Sequence, residues 1–481
     1  MSSLPVVRLH NTATGKLEEL ETIEPGIVRF YTCGPTVYNY AHIGNLRTYV
    51  SEDVIRRVLE TAGYGVRHVM NVTDVGHLQS DADDGEDKMA IAAERERRSP
   101  WDIARAYEEV FFADCDKLGN QRPTVICRAT EHIDQMQKMI ATLEQRGVTY
   151  TAEGNVYFDV HKFPGYGKMA NVDLSAEGRA RVETDAAKRD PHDFVLWFSR
   201  SKYPNQVMQW ESPWGRGFPG WHLECSTMAI EYLGERADIH MGGIDHIPVH
   251  HTNEIAQSEA ALGHPWVRYW LHCNFLVVQK DEHDPTDEEK KMSKSAGDFL
   301  RLATVEDRGF SPVHYRFFCL GAHYRSELKF SWDSLDQARR SFEILKNLVV
   351  GWKIETAKLG KRSAPSEEAI ALYRTRFRDA LHDDINAPRA LGILWEMARD
   401  AALRPPDKLA LAREFDTVFG LGVDTFRRPD IPDDVLTRIR AREAARAAKQ
   451  WKDADEIRDE LADRGIQLMD TADGTDWYRI V

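Results

Sequence analysis

Residues 30–48, FYTCGPTVYNYAHIGNLRT, decide the fold. A β-branched run, residues 27–30, leads into Cys33-Gly34-Pro35, and the apolar spacing of a helix begins at Leu46. His42-Ile43-Gly44-Asn45 therefore stands where a strand hands over to a helix N-terminus. Backbone N–H groups and the helix dipole favour anions at such a turn, so phosphate is the expected guest. Gly44 lets a ligand approach the backbone closely, and His42 can donate to a phosphate oxygen.

Working outward, Leu46, Tyr49, Val50, Val54, Val58 and Leu59 mark one helical face, Gly63 is a stop, and residues 66–72 return as a strand. This is a strand–helix–strand unit of an α/β, Rossmann-type nucleotide-binding domain. Ligands of open α/β sheets bind at the carboxyl ends of the strands, so Thr73 and Asp74 face the same crevice as the first turn. The remaining pattern predicts helices over 82–97, 101–118 and 131–146, a hairpin over 151–160 and irregular chain over 163–213. The sheet resumes at Gly220-Trp221-His222-Leu223-Glu224-Cys225, with a strand at 237–240 and a loop, Met241-Gly242-Gly243-Ile244-Asp245. Pro248 opens the next helix, on which His250 and Glu254 share a face while His251 points about a quarter-turn away. Residues 443–464 read as one long charged helix and 465–481 as a small hairpin.

These readings divide the chain into six parts. Residues 1–126 are the first half of the catalytic domain, 127–211 a connective insertion, and 212–303 the second half. Further helices (304–357), an all-α bundle (358–428) and a C-terminal module (429–481) follow.

The composition of these 481 residues, 42% hydrophobic and 29% charged, is that of a globular protein, and no apolar run reaches membrane-spanning length. A cytosolic (cytoplasmic) protein is expected. Six cysteines in so long a chain do not make a disulfide scaffold; they are buried hydrophobes, metal ligands or nucleophiles. A net charge of −14 argues against a general nucleic-acid coat protein. It leaves room for a local stripe: Arg438, Arg440, Arg442, Arg446, Lys449 and Lys452 stand against Glu443 alone. By itself that stripe also fits a solvated helix face.

Two constellations carry chemistry. Cys33 and Cys225 at loop or helix ends, with His250 and Glu254 four apart, make a donor set that suits zinc, although spacing alone equally fits buried structural cysteines. Lys291-Met292-Ser293-Lys294-Ser295, beside a Gly297 hinge, offers ammonium groups that can stabilise the charge developing on a triphosphate.

HIGN followed by KMSKS resembles the paired signatures of class I aminoacyl-tRNA synthetases. The flanking TCGPTVY, NVTD, KRDPHDFVLW, GWHLECS and HHTNEIAQ are similar to cysteinyl-tRNA synthetases, as are ALHDDINAPRAL and the terminal RAAKQWKDADEIRDEL. The resemblance implies that His42, Gly44, Asn45, Lys291 and Lys294 act on the ATP phosphates, and that Gly242, Gly243 and Asp245 hold adenosine. It implies zinc on Cys33, Cys225, His250 and Glu254, one ion per chain, and a cysteine pocket at Thr73, Trp221 and His240. In the terminal module it implies tRNA anticodon contacts at Arg446, Trp451, Asp455, Arg458 and Asp470. The implied partners are ATP with Mg²⁺, L-cysteine and tRNA(Cys), acting on a monomer with no membrane attachment.

The chemistry of that reading is coherent. Cysteine and serine are near isosteres that shape separates poorly, whereas zinc takes a thiolate far more readily than a hydroxyl. One ion then supplies the selectivity without an editing domain. The chain departs from the family pattern at Val75-Gly76-His77-Leu78 after NVTD, at MGGID, and in the long acidic segment before KMSKS. Two rivals are a cysteine ligase that transfers to an amino sugar, which lacks a terminal anticodon module, and a non-catalytic tRNA-binding paralogue, which has lost signature residues. The matched tail and the intact signatures argue against each.

Overall fold

The computed structural model describes residues 4–76, 88–172, 187–200, 207–279, 300–360, 363–427, 432–471 and 474–479. Its central sheet has five parallel strands: β1 (Ile27–Thr32), β2 (Gly65–Val72), β3 (Val125–Arg128), β4 (Ala237–Gly243) and β5 (Val267–Cys273). They lie in the order β5-β4-β1-β2-β3, so the winding reverses between β1 and β4. That reversal opens a crevice at the carboxyl ends of the two central strands, the usual ligand position in such sheets. β1 and β4 are largely apolar rather than alternating, as strands covered on both faces must be.

Helix α1 (Ile43–Thr61) follows β1. Its Ile43, Leu46, Val50, Val54, Val58 and Leu59 are buried, each such side chain contributing about 1.5–3 kcal/mol relative to exposure. The helix caps at Ala62, and Gly63 takes φ +94, which matches the predicted stop. Helices α2 (Trp221–Leu233) and α3 (Thr252–Leu262) carry the second half of the crevice.

Two buried arginines tie this frame together. Arg47 on α1 donates to the carbonyls of Asn274 (2.9 Å), Phe275, His323 (3.2 Å) and Ser326 (2.5 Å), so it holds the chain leaving β5 against the helix. Arg316 donates to Asp53 of α1 at 2.6 Å and to the Phe419 and Leu118 carbonyls at 2.5 and 3.1 Å. Asp53 also takes Arg57 and the Gln121 N–H, each at 2.7 Å, so its carboxyl is held below the usual range although burial opposes this.

Several expectations shift. The strand predicted at 237–240 runs on to Gly243, so Gly242 and Gly243 end β4 instead of lying in a loop. β3 pairs with β2 through Arg128, which leaves residues 127 and 128 in the parallel sheet and outside the insertion. Four short antiparallel strands run Thr149–Ala152, Asn155–Phe158, Phe194–Phe198 and Phe218–Pro219, the first three within the insertion and the fourth past its expected end at 211. The third falls inside the stretch expected to be irregular, because all five residues of FVLWF are buried. Residues 280–299 lie outside the described residues, and with them Lys291, Lys294 and the whole KMSKS stretch.

The chain forms two units, and the expected 358–428 bundle is divided between them: residues 372–396 and 415–421 belong to the first, the remainder to the second. The second unit ends in α4 (Asp433–Ala447), α5 (Trp451–Asp463) and an antiparallel hairpin, β6 (Ile466–Thr471) and β7 (Gly474–Arg479). The single long helix predicted over 443–464 is therefore two helices. Lys449 takes φ 58 between them, and the turn lets Val435 and Ile439 pack on Ile457, Leu461, Ile466 and Trp477.

Replacing Arg316 by Met leaves Asp53 buried with one of its cations gone. The expected cost is about 3–5 kcal/mol, read as a lower denaturation midpoint in urea.

Candidate active site and metal centre

Cys33 follows the last residue of β1, where its N–H donates to the Met241 carbonyl of β4 at 3.1 Å. Gly34 makes the turn possible, since a Cβ there would fall 1.7 Å from the Asn71 carbonyl oxygen. Cys225 lies in the second turn of α2, whose N-cap, Gly220, leaves no room for a Cβ beside the Val195 carbonyl at 1.9 Å. His250 sits in a wide π turn, Ile247–His251, and Glu254 in the first turn of α3. The donor atoms of Cys33, Cys225, His250 and Glu254 all lie within 4.8 Å of one another, and all four residues are buried.

The orientation of these atoms is informative. His250 Nε2 and Glu254 Oε1 are 2.9 Å apart, yet neither makes a hydrogen bond. With the two sulfurs these atoms make one compact, buried donor set, which is how ligands of a metal ion stand. Two thiols, an imidazole and a carboxylate are a donor set suited to zinc. The residues present fit a metal ion.

His251 also reaches this centre, contrary to the quarter-turn offset expected for it. Its Nε2 is 3.4 Å from Cys33 Sγ, and Cys33, His240, His251 and Glu254 form a second, overlapping donor set. The π turn is the reason: its extra residue changes the angular step, so adjacent histidines both face inward. Three more side chains escaped the sequence reading. His222 Nδ1 lies 3.0 Å from His250 Nδ1, His272 Nε2 lies 2.8 Å from His251 Nδ1, and Glu224 accepts from Thr73. GWHLECS carries two of them in plain sight; their roles depend on tertiary contacts no spacing reveals.

Electrostatics sharpen the picture. Burial would raise the Glu254 carboxyl, but His240 and His250 face it and bring it to about 2. Burial would depress the His250 imidazole, but Glu254 and Cys225 raise it to about 10. Burial likewise opposes ionisation of Cys225, and hydrogen bonding from Cys33 with the charge on His250 lowers it to about 6. Cys33 moves up, through burial and the neighbouring Cys225 sulfur. One thiolate is thus favoured before any ion arrives.

Of the expected cysteine pocket, Trp221 stacks on the His250 ring at 4.0 Å and His240 Nε2 donates to Glu254 Oε2 at 2.9 Å. Thr73, just past β2, donates to Glu224 Oε2 at 2.8 Å and so reaches the residue next to Cys225. At the nucleotide turn, His42 is the N-cap of α1. Its Nδ1 accepts from the Asn45 N–H at 3.0 Å, and its own N–H donates to Asn45 Oδ1 at 3.3 Å. In the neutral ring this leaves the proton on Nε2, a donor. Gly44 lies between them in the first turn. Across the crevice, a Cβ on Gly242 would fall 2.5 Å from His246 Nδ1, and one on Gly243 2.3 Å from Asp245 Oδ1.

The model of the tRNA synthetase class I (C) catalytic domain matches residues 19–340, a DALR domain model matches 376–419, and the cysteinyl-tRNA ligase anticodon-binding domain model matches 428–477. The cysteine–tRNA ligase of Treponema denticola is 45% identical over 98% of this chain and 100% of its own length. The chain belongs to the cysteinyl-tRNA synthetase family. Cysteine–tRNA ligase 1 of Burkholderia lata is also 45% identical, over 97% of this chain and 95% of its own. A methionyl-tRNA synthetase structure from Mycobacterium tuberculosis, in complex with methionyl-adenylate, shares the fold with TM-score 0.55 at 15% identity, covering 82% of this chain and 90% of that one.

In this synthetase the terminal module is less basic than its sequence stripe suggests. Arg438 pairs with Glu460, Arg442 with Asp470 at 2.7 Å, and Arg446 also with Asp470, so acids from α5 and β6 join Glu443 against the stripe. Two of the expected anticodon residues, Arg446 and Asp470, are thus partners, and two more, Asp455 and Arg458, pair at 3.1 Å on α5. Trp451, the first residue of α5, is 59% exposed.

The capping geometry separates two roles of His42. His42→Ala removes the acceptor for the Asn45 N–H and is expected to cost about 1 kcal/mol, whereas His42→Asn keeps a good cap and melts near the wild-type temperature in a thermal denaturation series.

Proposed function

We propose that this chain activates L-cysteine with ATP to cysteinyl-adenylate, releasing pyrophosphate, and transfers the cysteinyl group to the terminal adenosine of tRNA(Cys) with release of AMP. The observation that carries this reading is the buried set of two cysteines, one histidine and one glutamate whose donor atoms converge at the sheet's switch point. Zinc held by Cys33, Cys225, His250 and Glu254 would supply a Lewis acid that favours a substrate thiol over a hydroxyl. Cys33, Cys225 and His250 are the permanent holders in this reading, while Glu254, already engaged with His240 through Oε2, is the ligand best able to yield. Thr73, Trp221 and His240 orient the amino acid.

At the other wall of the crevice, His42 Nε2–H and the first-turn N–H groups of α1, with Gly44 and Asn45, hold the triphosphate. Gly242, Gly243 and Asp245 hold the adenosine, and Mg²⁺ accompanies ATP. Lys291 and Lys294 stabilise the leaving pyrophosphate. The carboxylate of cysteine attacks the α-phosphorus directly, so no side chain becomes covalently modified, and catalysis is positioning plus electrostatic stabilisation. The terminal module favours tRNA over an amino sugar as acceptor, with Arg446, Trp451, Asp455, Arg458 and Asp470 at the anticodon. A cytoplasmic monomer completes the reading; among the described residues no helix is long and apolar enough to cross a membrane.

The test is metal analysis alongside cysteine-dependent ATP–pyrophosphate exchange. The expected result is one zinc per chain and preference for cysteine over serine of roughly 10⁴-fold or more, the range open to a site that rejects a partner by its unpaired polar groups. Cys225→Ser is expected to lose both the metal and the exchange. Full exchange by the metal-free protein would overturn the reading. In His42→Asn the exchange rate is expected to fall about 10²-fold with little change in melting temperature.

A further inference from the structure

Beside α1 lies a small cavity whose wall is mostly apolar, Met70, Phe111 and Phe112 included, with a group of polar side chains along one part of it. It is bordered by Tyr49 and Asp53 of α1, His68 of β2, Cys115 of the helix Pro100–Lys117, and Asn120, Gln121 and Arg122 of the loop after it. Glu52 of α1 also lines it. The cavity offers about 20 Å³ to the centre of a water molecule, enough for one.

Glu52 is 1% exposed, and neither of its carboxyl oxygens makes a hydrogen bond. The neighbouring Thr32 hydroxyl lies 2.9 Å from His68 Nε2, and it is the one side chain that acts on the Glu52 carboxyl against the effect of burial. His68 Nδ1, Asn120 Nδ2 and Gln121 Oε1 are buried around the same space and are also without hydrogen bonds. The Gln121 N–H donates to Asp53 and its Nε2 to Glu60, at 2.7 and 3.1 Å. Native interiors rarely tolerate five such atoms around one hole, because each costs its desolvation when left unmade.

The two adjacent carboxyls of α1 sit in opposite surroundings. Asp53 faces Arg316 and Arg57 and is ionised, whereas Glu52 faces no cation at hydrogen-bonding distance and burial pushes its carboxyl well up. Tyr49 and Cys115 beside it are pushed up by burial too, and His68 is held down to about 3, so they are neutral. Arg122 is paired with Asp116.

We propose that Glu52 is an uncharged carboxylic acid at neutral pH, and that this cavity is an internal water site built around it. The donor and acceptor count fits one water. With the His68 proton on Nε2, the water accepts from the Glu52 O–H and Asn120 Nδ2–H, and donates to His68 Nδ1 and Gln121 Oε1. Each orphaned group except the second Glu52 oxygen is then satisfied. The inference does not depend on the cysteine-charging reading.

The test compares the full chain with Glu52→Gln, which mimics the protonated acid in size and retains a donor and an acceptor. The sign follows from linkage: a carboxyl whose folded value is raised keeps its proton on folding, so stability falls as pH rises above the unfolded value of the group. The melting-temperature advantage of Glu52→Gln over wild type is expected to grow between about pH 5 and about pH 8, with cysteine-dependent exchange unchanged. The wild-type infrared spectrum at neutral pH is expected to show a protonated-carboxyl band that Glu52→Gln lacks. A crystal structure is expected to place one water within hydrogen-bonding distance of the Glu52 carboxyl. Parallel pH profiles with no such band, or a dry cavity, would overturn the proposal.

Discussion

The crevice between β1 and β4 exists because the sheet winds outward in both directions from that pair. Everything chemical in the first unit is placed by it. Cys33 leaves β1 directly beside β4, α2 and α3 flank the second half, and the four converging donors come from segments far apart in sequence. Burying a carboxylate, an imidazole and two sulfurs together is costly unless they share a charge of opposite sign. His250 and Glu254 stand 2.9 Å apart as an ion pair, which offsets part of that cost and leaves the sulfurs without a cation of their own. A metal ion held there would supply that charge, and in the proposed function the same ion would read a thiol.

The nucleotide wall is organised by different physics. His42 is committed twice to Asn45 by the capping box, which fixes the ring. The first turn is also anchored from outside: the Ile43 N–H donates to the Leu300 carbonyl at 2.8 Å, and Tyr315 donates to the Ile43 carbonyl at 2.6 Å. With Arg47 gripping the chain after β5, helix α1 is held at several points by Asn274, Phe275, Leu300, Tyr315 and Ser326. Preorganisation of this kind is what electrostatic catalysis requires.

Much of this was legible in the sequence. The strand-to-helix handover at HIGN, the stop at Gly63 and the i, i+4 relation of His250 and Glu254 follow from periodicity and spacing, and the structure realises them. What stayed hidden depends on geometry that periodicity assumes away. The π turn that brings His251 to Cys33 breaks the regular helical step, and Lys449 breaks the terminal helix without a Gly or Pro to announce it. The buried strand Phe194–Phe198 carries no alternation because both faces are covered. The charge of the α4 stripe was overread for a related reason: its acids arrive from α5 and β6, beyond any local window.

The central claim is that the metal centre reads the substrate sulfur, and zinc X-ray absorption tests it most directly. The protein would be measured alone, with L-cysteine and with L-serine. The account predicts two sulfur neighbours at rest, from Cys33 and Cys225, and one more on addition of cysteine but not of serine. An unchanged sulfur count with cysteine bound would mean that selection happens elsewhere, and would contradict the account.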